Sequence, residues 1–241
     1  MSNVPILDVH PGTGKGKVAG DFQRALDPDV AHREGYRGVI VKLSQGDGTY
    51  DPYNLDGYWR RMAGVFDHMG GYHFLDRTMN GRPQAQRFVE RMRLATGRED
   101  GRGIAIVIDF ERYSGQGWDL SPTNEHLHDF VKELREHVGR HPIGVYSNHG
   151  FWTGGRPSGR IADYGIDYVY DSRYPYDSNT VTLKNPIHAM REALDWYWRQ
   201  PKWGGERPSV WQGSGAGWVG NVVCDGNLLF VPFEKLTGGT E

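Results

Sequence analysis

One cysteine, Cys224, stands in a chain of 241 residues, so no disulfide can form within it. Positive charge is not in excess: 28 Lys and Arg against 30 Asp and Glu leave a net charge of −2. That balance speaks against a nucleic-acid binder, which works by neutralising phosphates. Met1 to Asp8 contain no basic stretch and no long apolar run, so no secretory signal is visible. Nowhere does an apolar run approach the roughly 20 residues that a helix needs to span a bilayer, so membrane insertion is not expected. A Gly-rich phosphate loop is also missing. Gly12-Thr13-Gly14-Lys15-Gly16 has neither the spacing nor the Ser or Thr after the lysine.

What is present is the composition of a folded domain. Hydrophobic residues make up 37% and aromatics 12%, with eight Trp and thirteen Tyr, and the length is enough to bury a sizeable core. Short apolar, β-branched runs alternate with stretches of helical spacing. Val4 to Val9, Gly38 to Leu43, Gly71 to Leu75, Ile104 to Phe110 and Ile143 to Ser147 read as strands. Pro28 to Glu34, Leu55 to His68, Pro83 to Thr96 and Thr123 to Val138 read as helices, the last opening on Ser121-Pro122. Gly35, Gly70, Gly97 and Gly139 are expected to close these helices. After Ser147 the rhythm loosens. Asp167 to Asp171, Ser209 to Gln212 and Val222 to Asp225 are further strands, with one helical stretch at Pro186 to Arg199. Eight strands with helices between the first ones predict a single α/β domain over 1–241, a closed barrel whose last part is poor in helices. An open doubly wound sheet is the alternative.

In a parallel barrel, ligands meet the carboxyl ends of the strands. Polar residues at those ends are Asp8 and His10, Lys42 and Gln45, Tyr72 and His73, Asp109 and Glu111, Asp171 and Arg173, Gln212, and Asp225. Asp109 and Glu111 follow five apolar residues and, by strand alternation, share one face while Phe110 takes the other. Carboxylates crowded at one mouth cannot all ionise, and a carboxyl that keeps its proton near neutral pH serves as a general acid. A rival use of the acids, with Asp8, His10 and His73, is a metal site in a metal-dependent hydrolase. Cys224 has no activating partner in sight and reads as core.

Several short motifs run in a fixed order. They are Asp8-Val9, Lys42-x-Ser44-x-Gly46 with Tyr50 and Asp51 downstream, Gly71-Tyr72-His73-Phe74 and Asp109-x-Glu111. Val145-Tyr146-Ser147, Ser172-Arg173-Tyr174, Val210-Trp211-Gln212 and Asp225-x-Asn227 follow. In this order the chain resembles family 25 glycoside hydrolases, the Chalaropsis-type lysozymes. The resemblance implies a flattened TIM-like barrel, (β/α)5(β)3, and cleavage of the β-1,4 bond between N-acetylmuramic acid and N-acetylglucosamine in peptidoglycan. It implies Glu111 as catalytic acid, with Asp109, Asp8 and Asp225 as the other active-site carboxylates. Tyr72, His73, Tyr146, Arg173, Trp211 and Gln45 would bind substrate. No cofactor or metal is implied. The expected partner is bacterial peptidoglycan, met by a monomer.

The sequence departs from the family pattern at Gln45, where Glu is usual, so a glycan-binding barrel that does not cut is a second reading. With no signal visible, the resemblance leans toward a phage endolysin catalytic domain, made in the host cytoplasm and released to the wall by a separate pore.

Overall fold

The computed structural model describes residues 3–12, 21–48, 54–115, 118–154, 159–176 and 182–239. Residues 13–16 of the lysine-containing loop, and Tyr50 and Asp51, lie outside the described residues.

Eight strands close a barrel: β1 (Val4–Val9), β2 (Gly38–Gln45), β3 (His68–Phe74), β4 (Ala105–Asp109), β5 (Ile143–Ser147), β6 (Tyr168–Ser172), β7 (Val210–Val219) and β8 (Val222–Leu229). Each strand from β1 to β7 runs parallel to the next, and β8 is antiparallel to both β7 and β1 and closes the ring. The helices are α1 (Pro28–Arg33), α2 (Leu55–Ala63), α3 (Gly81–Thr96), α4 (Asn124–Val138), α5 (His149–Thr153), α6 (Pro186–Glu192), α7 (Leu194–Arg199) and α8 (Glu234–Thr237). The five-plus-three plan is therefore present, with α6 and α7 inserted between β6 and β7.

Strand alternation sorts the core into two layers. Ile6, Ile40, Val107, Tyr168, Tyr170 and Val210 pack inside the barrel. Their neighbours Leu7, Val39, Val41, Ile106, Ile108, Val145 and Val169 face outward beneath the helices. The helices meet this outer layer with apolar stripes. On α3 the buried residues are Gln84, Ala85, Phe88, Val89, Met92 and Ala95, and on α4 they include Leu127, Phe130, Val131, Leu134 and Val138. The start of α1 is fixed by Asp27, whose carboxylate accepts from the N–H groups of Asp29 (2.9 Å) and Val30 (3.3 Å), with Pro28 in the first turn.

Several expected boundaries move. Helix α2 ends at Ala63 and is closed by Gly64, so His68 opens β3 instead of ending a helix. Gly70 lies inside that strand, where a Cβ would stand 3.0 Å from the Ala105 carbonyl oxygen. It permits close strand packing and caps nothing. Helix α4 begins at Asn124, and the Ser121 hydroxyl accepts from the Tyr113 N–H at 2.9 Å instead of capping it. The stretch Pro186 to Arg199 breaks into two helices at Ala193. Strands β7 and β8 run several residues past the expected ends as one long hairpin.

Helices α3 and α4 approach closely through Gly81. A Cβ there would lie 2.0 Å from the His126 carbonyl oxygen and 2.6 Å from the Phe130 nitrogen, both backbone atoms. Gly81→Ala is expected to destabilise by about 1–3 kcal/mol, because overpacking outweighs the gain in helix propensity. Melting temperature measures it, at roughly 2–4 °C per kcal/mol for a chain this size. An unchanged melting temperature would contradict the close approach.

Candidate active site

The inward-facing residues at the carboxyl ends of the strands meet in one cavity of about 230 Å³. Every strand contributes: Asp8, Lys42, Tyr72, Asp109, Tyr146, Tyr170, Gln212 and Asp225 line it, one from each strand, over a floor that includes Ile40 and Val107. Phe74, His10 and Glu111 complete the rim. The alternation expected at the end of β4 holds. Asp109 and Glu111 face the cavity, while Phe110 is fully buried on the other side, 5.2 Å from the Phe151 ring.

The four carboxylates are differently held. Asp8 and Asp225 sit directly opposite each other across β1 and β8, a pairing in which two full negative charges repel. On Asp8, Oδ2 accepts from Gln212 Nε2 (2.7 Å), Tyr170 Oη (2.9 Å) and Asn227 Nδ2 (3.1 Å). Burial pushes Asp8 up, and those donors pull it back. Burial and the Asp8 charge push Asp225 well above the usual carboxylate range. With the donors gathered on Asp8, the proton of the pair resides on Asp225.

Asp109 is 8% exposed, and its Oδ1 is buried without a hydrogen-bond partner among the described residues. Burial, then the Glu111 charge, pushes it well above the usual range, against the pull of Lys42. Burial also raises Glu111, to about 7, with the charge of Asp8 adding and Lys42 opposing.

Lys42 is the cation of this ring. Its Nζ donates to Gln45 Oε1 at 2.6 Å and lies 4.6 Å from the centre of the Phe74 ring. Burial lowers the ammonium to about 8, although Asp109 and Glu111 hold the charge in place. Gln45 thus anchors Lys42 from outside the cavity lining. Its departure from an acidic residue removes no member of the carboxylate ring.

Of the six expected substrate-binding residues, Tyr72 and Tyr146 line the cavity, while Gln45, His73, Trp211 and Arg173 do not. His73 faces outward. Its Nδ1 accepts from Ser44 Oγ (2.8 Å), its Nε2 donates to Gln84 Oε1 (2.9 Å), and its ring stacks on Phe130 at 4.8 Å. Burial lowers it to about 3, so it is neutral. Trp211 also faces outward, stacked on Tyr197 at 4.4 Å, with its indole N–H on the Arg173 carbonyl (2.7 Å). Arg173 turns to Asp171, 3.8 Å away. Asp171 is itself fully buried outside the ring, where it accepts from Trp203 Nε1 at 2.6 Å. Each has a neighbour that alternation sends inward: Tyr72, Gln212, and Tyr170 with Ser172. The metal reading loses its third ligand with His73, and among the described residues no three His, Cys, Asp or Glu side chains gather as metal ligands.

Sequence reasoning put His10, Lys42 and Gln212 at strand ends without adding them to the site, and it passed over Tyr170 and Phe74. The signal for Tyr170 was its place beside Asp171: a strand whose acid faces out must face its tyrosines in. Gln212 is fixed from three sides, its Oε1 accepting from Tyr146 (2.7 Å) and Tyr174 while its amide donates to Asp8.

The sequence profile described as Glycosyl hydrolases family 25 matches residues 16–184. No curated protein matches the chain in sequence. Among solved structures, a bacterial lysozyme from Streptomyces coelicolor is similar over 99% of both chains, with a TM-score of 0.69 at 14% identity. A muramidase from Acremonium alcalophilum covers 98% of this chain and 99% of its own, with a TM-score of 0.64 at 17% identity. The catalytic domain of endolysin ply40 from bacteriophage P40 of Listeria monocytogenes covers 99% and 98%, with a TM-score of 0.63 at 16% identity. At these identities the structures speak for the fold, while the profile covers most of the chain, from before α1 to just short of α6. The chain belongs to glycosyl hydrolase family 25.

Proposed function

We propose that this protein is a peptidoglycan hydrolase, an N-acetylmuramidase that cuts the β-1,4 bond between N-acetylmuramic acid and N-acetylglucosamine in bacterial cell walls. The observation that carries the reading is the cavity itself, where Asp8, Asp109, Glu111 and Asp225 converge around one lysine at the open end of the barrel. Glu111 is the proton donor, since its carboxyl retains a proton close to neutral pH. It gives that proton to the glycosidic oxygen as the bond to the anomeric carbon breaks.

The nucleophile in this proposal is the carbonyl oxygen of the sugar's own acetamido group. Substrate assistance of this kind retains configuration without a protein nucleophile. Its support is Asp109, whose buried Oδ1 lacks a partner and stands ready to accept the acetamido N–H. The positive charge that grows on the cyclised acetamido group favours the ionised form of Asp109. Asp8, with Asp225 carrying the shared proton, supplies a fixed negative charge towards the sugar ring. Water then opens the cyclic intermediate, with Glu111 taking its proton. Tyr72 and Tyr146 line the sugar subsite.

Mass analysis of digested, borohydride-reduced peptidoglycan tests the reading. The new reducing end is expected on N-acetylmuramic acid. Reducing ends on N-acetylglucosamine, or no fragments at all, would overturn it.

The donor also sets a pH dependence. A general acid works only while protonated, so kcat/KM is expected to fall as pH rises through about 7, where Glu111 loses its proton. A kcat/KM profile from acid to alkaline pH checks this. A plateau extending well above neutrality would exclude Glu111 as the donor.

A further inference from the structure

Beyond the catalytic cavity, the β7–β8 hairpin continues outward. Trp218 pairs with Val223, two residues from Asp225 and so about 7 Å further along the strand. It is 42% exposed, which leaves much of the side chain open to a ligand. Two attachments fix the hairpin here. The Trp218 N–H donates to the Leu183 carbonyl (2.9 Å) and the Leu183 N–H to the Ala216 carbonyl (2.8 Å), which lays the segment before α6 alongside β7. On the other side the Gly220 N–H donates to the Glu34 carboxylate at 2.9 Å.

These attachments frame a second cavity of about 340 Å³, lined by Glu34, Tyr36, Lys184, Asn185, Ile187 and Trp218 together with Pro186. It shares no lining residue with the catalytic cavity. Tyr36 is 1% exposed, and its hydroxyl has no hydrogen-bond partner among the described residues. An unpaired buried hydroxyl costs free energy that a bound polar group would recover. Burial and the Glu34 charge hold that phenol protonated, so it is a donor.

The lining selects among ligands. Glu34 and Lys184 bring one charge of each sign, so neither a polyanion nor a cation is favoured. An exposed indole presents a flat apolar surface to one face of a pyranose ring. The carboxylate, the ammonium, the amide and the phenol then offer acceptors and donors to hydroxyl and acetamido groups. We propose that this cavity is a second glycan-binding site, which stacks an N-acetylated amino sugar of the wall on Trp218 and holds the enzyme on insoluble peptidoglycan. The assignment rests on the peptidoglycan reading above for the identity of the glycan.

Two measurements separate the two ideas. In a Glu111→Gln background, co-sedimentation with purified insoluble peptidoglycan measures binding without cutting. Adding Trp218→Ala is expected to weaken it by about tenfold or more, the scale of losing an aromatic anchor. Tyr36→Phe, which keeps the ring, is expected to weaken it less. With Glu111 intact, Trp218→Ala should leave kcat on short soluble peptidoglycan fragments unchanged while slowing the clearing of intact walls. Binding and clearing equal to those of the parent would overturn the second site, as would a fall in soluble activity that matches the fall in clearing. If the parent cuts no fragments, the hydrolase reading fails, and the sedimentation comparison still decides the binding site.

Discussion

Glu111→Gln is expected to lower kcat by about 10²–10⁴-fold, the usual contribution of a positioned general acid. Glutamine has the same shape and keeps the packing at the end of β4, but its amide cannot give up a proton to a departing sugar. The cavity around it needs no rearrangement, because none of the hydrogen bonds described for Asp8, Gln212, Tyr170 and Asn227 runs through Glu111. Circular dichroism and melting temperature should therefore stay near those of the parent, while turnover collapses. A substrate with a phenolic leaving group of low pKa supplies a second readout. Such a group departs without protonation, so the first bond-breaking step should recover in the variant far more than on natural glycan. Full activity on peptidoglycan would remove Glu111 from the donor's role. Equal losses on both substrates would assign it to binding or structure.

The barrel and its acidic ring are legible in the sequence for one physical reason. Apolar strands that end in polar residues announce both the sheet and the place where it opens, and Asp8, Asp109, Glu111 and Asp225 all stand at such ends. Residue type alone does not say which way a neighbouring pair divides. His73, Asp171 and Trp211 attract notice as chemical groups, yet each is fully buried on the helix side. A histidine shared between Ser44 and Gln84 and an aspartate under Trp203 satisfy polar groups in the outer layer. Alternation applied strictly from Asp8 and Asp109 selects Tyr72 over His73 on the strand beside Asp109. The paired ends of β6 and β7 need the register as well: Tyr170 and Gln212 turn inward because Asp171 pairs with Trp211 outside. Boundaries failed where glycine had two uses. Gly70 looks like a helix cap but lies in a strand that needs its smallness. The length of the β7–β8 hairpin was hidden by its glycines, which lower strand propensity while leaving the pairing possible.

The role given to Asp109 has its own consequence. Asp109→Asn is expected to reduce kcat by about 10²–10³-fold, the loss typical when one preorganised group that meets developing charge is removed. The Michaelis constant should change little, because the charge it stabilises is absent from the ground state. Glu111 should keep its proton to about the same pH in this variant, because burial and then the Asp8 charge are what raise it. The decisive comparison removes the partner instead. On N-deacetylated glycan the parent enzyme should itself slow greatly, since no acetamido carbonyl is left to attack. On that substrate Asp109→Asn should add little further loss, because the two changes delete the two ends of one interaction. Losses that multiply would show Asp109 acting independently of the acetamido group. A protein nucleophile would then have to be sought among the remaining carboxylates, Asp8 and Asp225, and the unpartnered oxygen on Asp109 would need another ligand.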